Sequence, residues 1–264
     1  MSVLDPLSHA LAAVVATTHA AVTALGADPD AGGTWLLSIA AVVVLVRLAL
    51  LPLVVRGVRQ AHAAARARPH LKRLSEKYAG RRDPDSMRAF LEERRQLGAE
   101  HGVSRLGCLP TLAQVPVWMA LYHLLAHVSA GTTVGALTPT LVASFGAATV
   151  LGVPLAAHGY GGGGAHLAVV AGLAGTAAVI SYVTQRHLVL PNTVTADLPE
   201  TMLGVQQLVP LLSAGGMLVA GGVVPVALLA YWVCSSLWTC GQAAVIHRWF
   251  PTPGSPAALR LERE

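Results

Sequence analysis

One arginine stands where an arginine is costly. Arg47 lies inside TWLLSIAAVVVLVRLALLPL (residues 34–53), a run with no other charge. A guanidinium at the centre of a bilayer helix costs about 2.5–3.5 kcal/mol on insertion scales. None of the chain's five long apolar runs contains an Asp or Glu that would neutralise it. Two readings stay open: the side chain snorkels to the nearer interface, or it faces a hydrated cavity between helices and attracts acidic groups. Polar residues for such a cavity recur on the other runs. They are Gln114, between Pro110 and Pro116, then Ser181, Tyr182, Thr184 and Gln185, then Gln206 and Gln207. Last come Ser235, Ser236, Thr239 and Gln242, with Trp232 and Trp238 beside them. Each alone suits packing or an interhelical hydrogen bond; gathered around one arginine they suit a wet groove.

Other chemistry is poorly supplied. His123 and His127 share a helix face at the spacing of a metal pair, but with no Cys, Asp or Glu beside them they read as interface histidines. GxSxG, HExxH and Walker sequences are absent. No enzyme, metal or cofactor is expected.

The elements that must position these residues follow from composition. Of 264 residues, 54% are hydrophobic and 12% charged, with mean hydropathy +0.58. A soluble domain carries about 25% charge, so the expected class is an all-α integral membrane protein. Five spans of roughly 20 residues are expected over 34–55, 106–128, 165–186, 204–222 and 223–247. Residues 1–33 read as an extracytoplasmic or interfacial segment, 129–164 as an outer loop and 187–203 as a cytoplasmic loop, with 248–264 as a cytoplasmic tail.

The surviving charge is unevenly placed. Of 18 Lys and Arg, 13 lie between Arg56 and Arg105, and residues 1–46 hold none. Within 56–105, Leu71, Leu74 and Tyr78 share one helical face, GRRDP marks a turn, and Met87, Phe90, Leu91 and Leu97 share another face. Two charged helices with narrow apolar stripes predict a helical hairpin projecting into water between the first and second spans. The positive-inside rule places that hairpin and the C-terminus in the cytoplasm and the N-terminus outside. A net charge of +5 then reads as attraction to anionic lipids, not to DNA.

VRLALLPLVVRGVRQ (46–60), LSEKYAGRRDPDSMRAFLEE (74–93), LGCLPTLAQVPVWMALYHLL (106–125) and YWVCSSLWTCGQ (231–242) together resemble the YidC-type membrane protein insertases of the YidC/Oxa/Alb family. The similarity covers roughly residues 34–250 and includes the order of five spans and one hairpin. It resembles a compact member, without the large periplasmic domain. The resemblance implies a groove open to the cytoplasm and to lipid, in which Arg47 receives the acidic tail of a nascent membrane protein. It extends that groove to Gln114, Gln185, Trp232, Trp238 and Thr239. For the hairpin it implies recruitment of substrate or the ribosome–nascent chain complex, with Arg73, Lys77, Arg81 and Arg82 as candidate contacts. The SecYEG translocon is the implied partner when the protein does not act alone. A small transporter using Arg47 as an anion site is the alternative class; its usual sign, repeated halves, is absent from the sequence.

Overall fold

The structure is a computed structural model describing residues 5–81, 83–103, 109–194 and 200–263. Nine α-helices are described: α1 (Asp5–Ala24), α2 (Gly32–Lys77), α3 (Pro84–Glu100), α4 (Leu109–Ser129), α5 (Pro139–Ala147), α6 (Gly164–Val183), α7 (Glu200–Gly221), α8 (Val226–Trp249) and α9 (Pro256–Leu261). α6 runs on through a π-helical segment, Thr184–Val189, and a 3₁₀ turn, Leu190–Asn192. The only strands among the described residues, β1 (Thr149–Val150) and β2 (Val153–Pro154), form a two-residue-per-strand antiparallel pair. This is an all-α membrane protein.

The first span and the first arm of the hairpin are one helix. The 46 residues of α2 extend about 69 Å at 1.5 Å per residue, more than twice a hydrocarbon core of about 30 Å. The change in composition at Arg56 is therefore a change of solvent along a continuous helix, because nothing there caps or ends it. The turn comes at Gly80, with φ +83. α3 starts at an Asp83 N-cap whose carboxylate accepts from Ser86 N at 2.8 Å, with Pro84 following.

Across the hairpin, Lys77 Nζ donates to Glu93 at 2.7 Å, Tyr78 OH donates to Glu93 Oε1 at 2.8 Å, and Tyr78 meets Phe90 edge-on. Those hydrogen bonds hold the Glu93 carboxyl below its ordinary range, and Glu93 in turn pushes the Lys77 ammonium up. The lowered Glu93 value contributes stability above the ordinary Glu range and loses it as pH falls through the folded value. The raised Lys77 value contributes below the ordinary Lys range and loses it as pH rises through the folded value. The hairpin is thus expected to be tightest between about pH 5 and 9, given reference values near 4.3 and 10.4. Both groups are exposed, so the effect is small. Limited proteolysis at Arg81 should quicken by less than about threefold in Glu93→Gln, and a pH-independent cleavage rate in the wild type would contradict the pairing.

The main buried cluster lies at the end of the bundle away from the hairpin. It is built from Trp35, Ile39, Val42 and Val43 of α2, Ala120, Leu121, Leu124 and Leu125 of α4, Val169 and Val170 of α6, and Val226–Leu229 of α8. Capping it are α1, α5 and the β pair. α1 is 20 residues long and apolar enough by length and composition to span a bilayer. Its contacts point elsewhere. His9 packs on Gly135 and lines a pocket with His123 and His127 at the last turns of α4, while His19 stacks on Trp35 at the first turn of α2. A helix touching the same-side ends of two spans lies across them.

The β turn has two residues with positive φ, Leu151 (+53) and Gly152 (+78), the requirement of a two-residue hairpin that follows strand twist. Its first strand presses on the start of α2. A Cβ on Gly32 would lie 1.9 Å from Thr149 O. Gly32→Ala must displace backbone, and a loss of about 1–3 kcal/mol is expected. Thermal unfolding in detergent checks this; an unchanged midpoint would mean the strand is not held there.

Candidate functional site: the Arg47 cavity

The helices part below the core, towards the hairpin. α2's inward stripe runs Trp35, Ile39, Val42, Val43, and continued by one turn it delivers Arg47 to the same side. On α8 the inward stripe changes chemistry over the same depth. Leu228 is buried and apolar, Tyr231 is buried and lines the cavity, and Ser235, Ser236 and Thr239 follow with hydroxyls.

Arg47 Nη2 donates to Ser235 Oγ at 2.7 Å. That is one of five guanidinium donors, and the only hydrogen bond of Arg47 among the described residues. The remaining donors face a cavity of about 550 Å³. Trp118 of α4, Ser181 of α6, Thr184 and Gln185 of the π-helical segment, and Ser213 and Gly216 of α7 line it, with Tyr231, Trp232, Ser235, Ser236 and Thr239 of α8. Among the described residues its lining has one cation and no carboxylate. The hydroxyls are largely self-satisfied: Thr184 Oγ1 donates to Ile180 O at 2.6 Å, Thr239 Oγ1 to Ser235 O at 2.8 Å, and Ser181 and Ser213 Oγ lie 3.3 Å apart.

The cavity is shut towards the cap. Between Arg47 and the core, Val42, Val43, Val46, Val117, Leu121 and Tyr231 leave a residual space of only about 10 Å³. It is open sideways, since its lining residues Trp118, Val189 and Leu212 are 40%, 45% and 61% exposed. α7, which forms one wall, packs chiefly on α6, and its other face is bare.

Of the residues expected in a groove, Arg47, Gln185, Trp232 and Thr239 come together here. Gln185 is carried in by the π-helical segment, a wider turn frequent at functional sites. Trp238 does not join them. Its indole donates to Gln242 Oε1 at 3.3 Å and lines a separate apolar cleft between α2 and α8. The side chain of Gln114 and the whole of Arg82 lie outside the described residues. On the hairpin, Arg73 is exposed, Lys77 is occupied by Glu93, and Arg81 lies over the Tyr78 ring at 5.7 Å. Trp118, Ser213, Gly216 and Tyr231 were not anticipated as lining. SAGG at 213–216, a cluster of small residues inside an apolar helix, was the available signal for two of them.

The family model described as "60Kd inner membrane protein" matches residues 27–253, most of the chain and every helix that lines the cavity. The chain belongs to this family. Among its relatives, the protein named "Membrane protein insertase YidC" from Streptomyces avermitilis is 34% identical over 89% of this chain and 56% of its own length. One of the same name from Tropheryma whipplei (strain Twist) is 29% identical over 100% of this chain and 89% of its own length. Another from Corynebacterium efficiens is 29% identical over 92% and 68%. The chain thus spans little more than half of the Streptomyces relative and most of the Tropheryma one. Cell-membrane location agrees with both the family and the long apolar helices.

Proposed function

We propose that this protein inserts nascent membrane proteins into the bilayer, using the Arg47 cavity as a transient polar site for the substrate's leading segment. The observation that carries the proposal is a cavity, closed on the cap side and open laterally, whose described lining holds one cation and no carboxylate. A polar tail entering from the hairpin side crosses part of the membrane thickness beside hydroxyls and a guanidinium in place of hydrocarbon. The attached apolar segment then leaves sideways into lipid, and its burial, at about 25 cal/mol per Å², drives release. No bond is made or broken.

The charge distribution supports an orientation with the hairpin and C-terminus in the cytoplasm. The cap-side segments 1–33 and 129–164 hold no Lys or Arg, while the hairpin holds 13. A cytoplasmic hairpin would meet the ribosome–nascent chain complex through its unpaired basic residues, Arg73 foremost, and would meet anionic headgroups near the membrane. Work beside the SecYEG translocon is compatible with a cavity that opens laterally.

The test is rescue of a bacterium depleted of its own insertase. Wild-type protein should restore insertion of single-span substrates. Good expression in the membrane without such rescue would overturn the proposal.

A further inference from the structure

A second cavity, larger than the one beside Arg47, lies further along α2 and α8. Below the Arg47–Ser235 contact α2 and α8 separate, leaving a cleft of about 850 Å³, within the roughly 300–1,000 Å³ typical of small-molecule sites. Leu51, Val55 and Val58 form one wall, and Leu237, Val245 and Ile246 form the other. Midway along α8 the Trp238 indole and Gln242 amide also line it and are hydrogen-bonded to each other; the charged and titratable groups are at one end. Arg59 and His62 stand at the hairpin end; His62 Nε2 donates to Phe250 O at 3.1 Å, whereas Arg59 makes no ion pair or hydrogen bond among the described residues. Arg248 follows Val245 on the same face of α8, about one turn further on. From Leu51 to His62 the cleft runs about 16 Å along α2, crossing the change of solvent at Arg56 so that Arg59 stands at headgroup level.

We propose that this cleft holds one acyl chain of an anionic phospholipid from the hairpin-side leaflet, with the phosphate at Arg59. A slot lined mainly by apolar side chains, straddling the membrane boundary and carrying at its mouth a cation without a partner among the described residues, complements that molecule. A substrate's transmembrane helix fits it poorly, since it needs about twice the depth. The lipid would keep α2 and α8 apart where the sequence leaves small side chains between them. Gly241, on the cleft wall, has nothing within 4 Å of an added Cβ. The proposal uses only the membrane-spanning reading of α2 and α8, so failure to rescue an insertase-depleted cell leaves it standing.

The full chain in phosphatidylcholine vesicles is irradiated with a small fraction of either phosphatidylglycerol or phosphatidylcholine bearing a photoreactive acyl chain. Labelled peptides are then mapped. Both lipids carry a phosphate; only the first has net charge. Labelling of 51–62 and 237–250 should favour phosphatidylglycerol about fivefold, the fold-change given by about 1 kcal/mol per basic residue near an anionic surface. Arg59→Gln should abolish that preference. Gly241→Phe, which fills the cleft, should remove cleft labelling by both lipids while the bare face of α7 (Leu208, Leu211, Leu218) stays labelled. Val55→Phe repeats the block from the other wall if Gly241→Phe does not yield monodisperse protein. Equal labelling by the two lipids in the wild type, or cleft labelling no stronger than that of α7, overturns the proposal. So does loss of cleft labelling when an arrested single-span substrate is bound, which would give the cleft to the substrate.

Discussion

Arg47→Ala is expected to lower insertion of substrates with acidic leading tails by roughly thirtyfold, and Arg47→Glu to lower it further. The magnitude follows from electrostatics in a partly wet site. A substrate carboxylate about 8 Å from the guanidinium gains about 2 kcal/mol at an effective dielectric near 20, and each 1.4 kcal/mol is tenfold in occupancy. With no carboxylate among the described lining residues to compete, the substrate's own acids are the available counter-charge. Arg47→Lys keeps the charge but loses the planar fork that also holds Ser235, so it should fall between wild type and alanine. Ser235→Ala tests the other half: it frees a donor without moving charge and should change insertion little. The measurement is protease protection of a single-span substrate translated in the presence of reconstituted vesicles. Its informative control is the same substrate with neutral residues in its tail. Equal loss for acidic and neutral tails on removing Arg47 would mean that the arginine holds the helices together and does not attract the substrate.

Arg47 was readable because a single charge in an apolar run has few explanations, and the apolar stripe N-terminal to it sets the direction in which it points. The hydroxyls of α8 were equally plain as a group. Their individual roles were not: Trp238 is three residues from Ser235, about 60° around the helix, and sequence spacing does not say on which side of the α2–α8 contact such a residue falls. The structure puts Ser235 on Arg47 and Trp238 in the cleft below it. The hairpin was legible from its turn signal and paired stripes, but its continuity with the first span was not, since a change from apolar to basic residues looks like a boundary although the backbone continues unbroken to Lys77. Least legible was the cap. α5 and the β pair are short and almost all apolar, so periodicity is silent, and their arrangement depends on contacts more than a hundred residues apart, such as Trp35 with Ser144.

That cap gives the other large prediction. Trp35 is 1% exposed and joins three elements: its ring stacks on His19 of α1 with centroids 4.2 Å apart, meets Phe145 of α5 edge-on at 5.2 Å, and donates from Nε1 to Ser144 Oγ at 3.2 Å. Pro29 O accepts from both Ser144 Oγ and His19 Nε2, at 3.0 Å each, so the loop between α1 and α2 is tied to the same group. Trp35→Ala should therefore cost about 3–5 kcal/mol, the range for truncating a buried aromatic, and should release α1 from the bundle end. Trp35→Phe retains most of the ring contact and loses the indole donor, for a smaller loss of about 1 kcal/mol plus the void. Thermal unfolding in detergent gives the ranking. Maleimide labelling of a cysteine at Leu11, on the buried face of α1, separates local release from global loss. If the alanine variant unfolds within about 1 kcal/mol of the wild type, the cap is held by the apolar contacts of Leu11, Val15 and Val142 without the indole. If instead α1 is released while the bundle persists, the seal above Arg47 is set by Val43, Leu121 and Tyr231, and insertion should survive. Loss of insertion in that variant would show that a helix lying across the ends of the spans keeps the polar cavity closed on its far side.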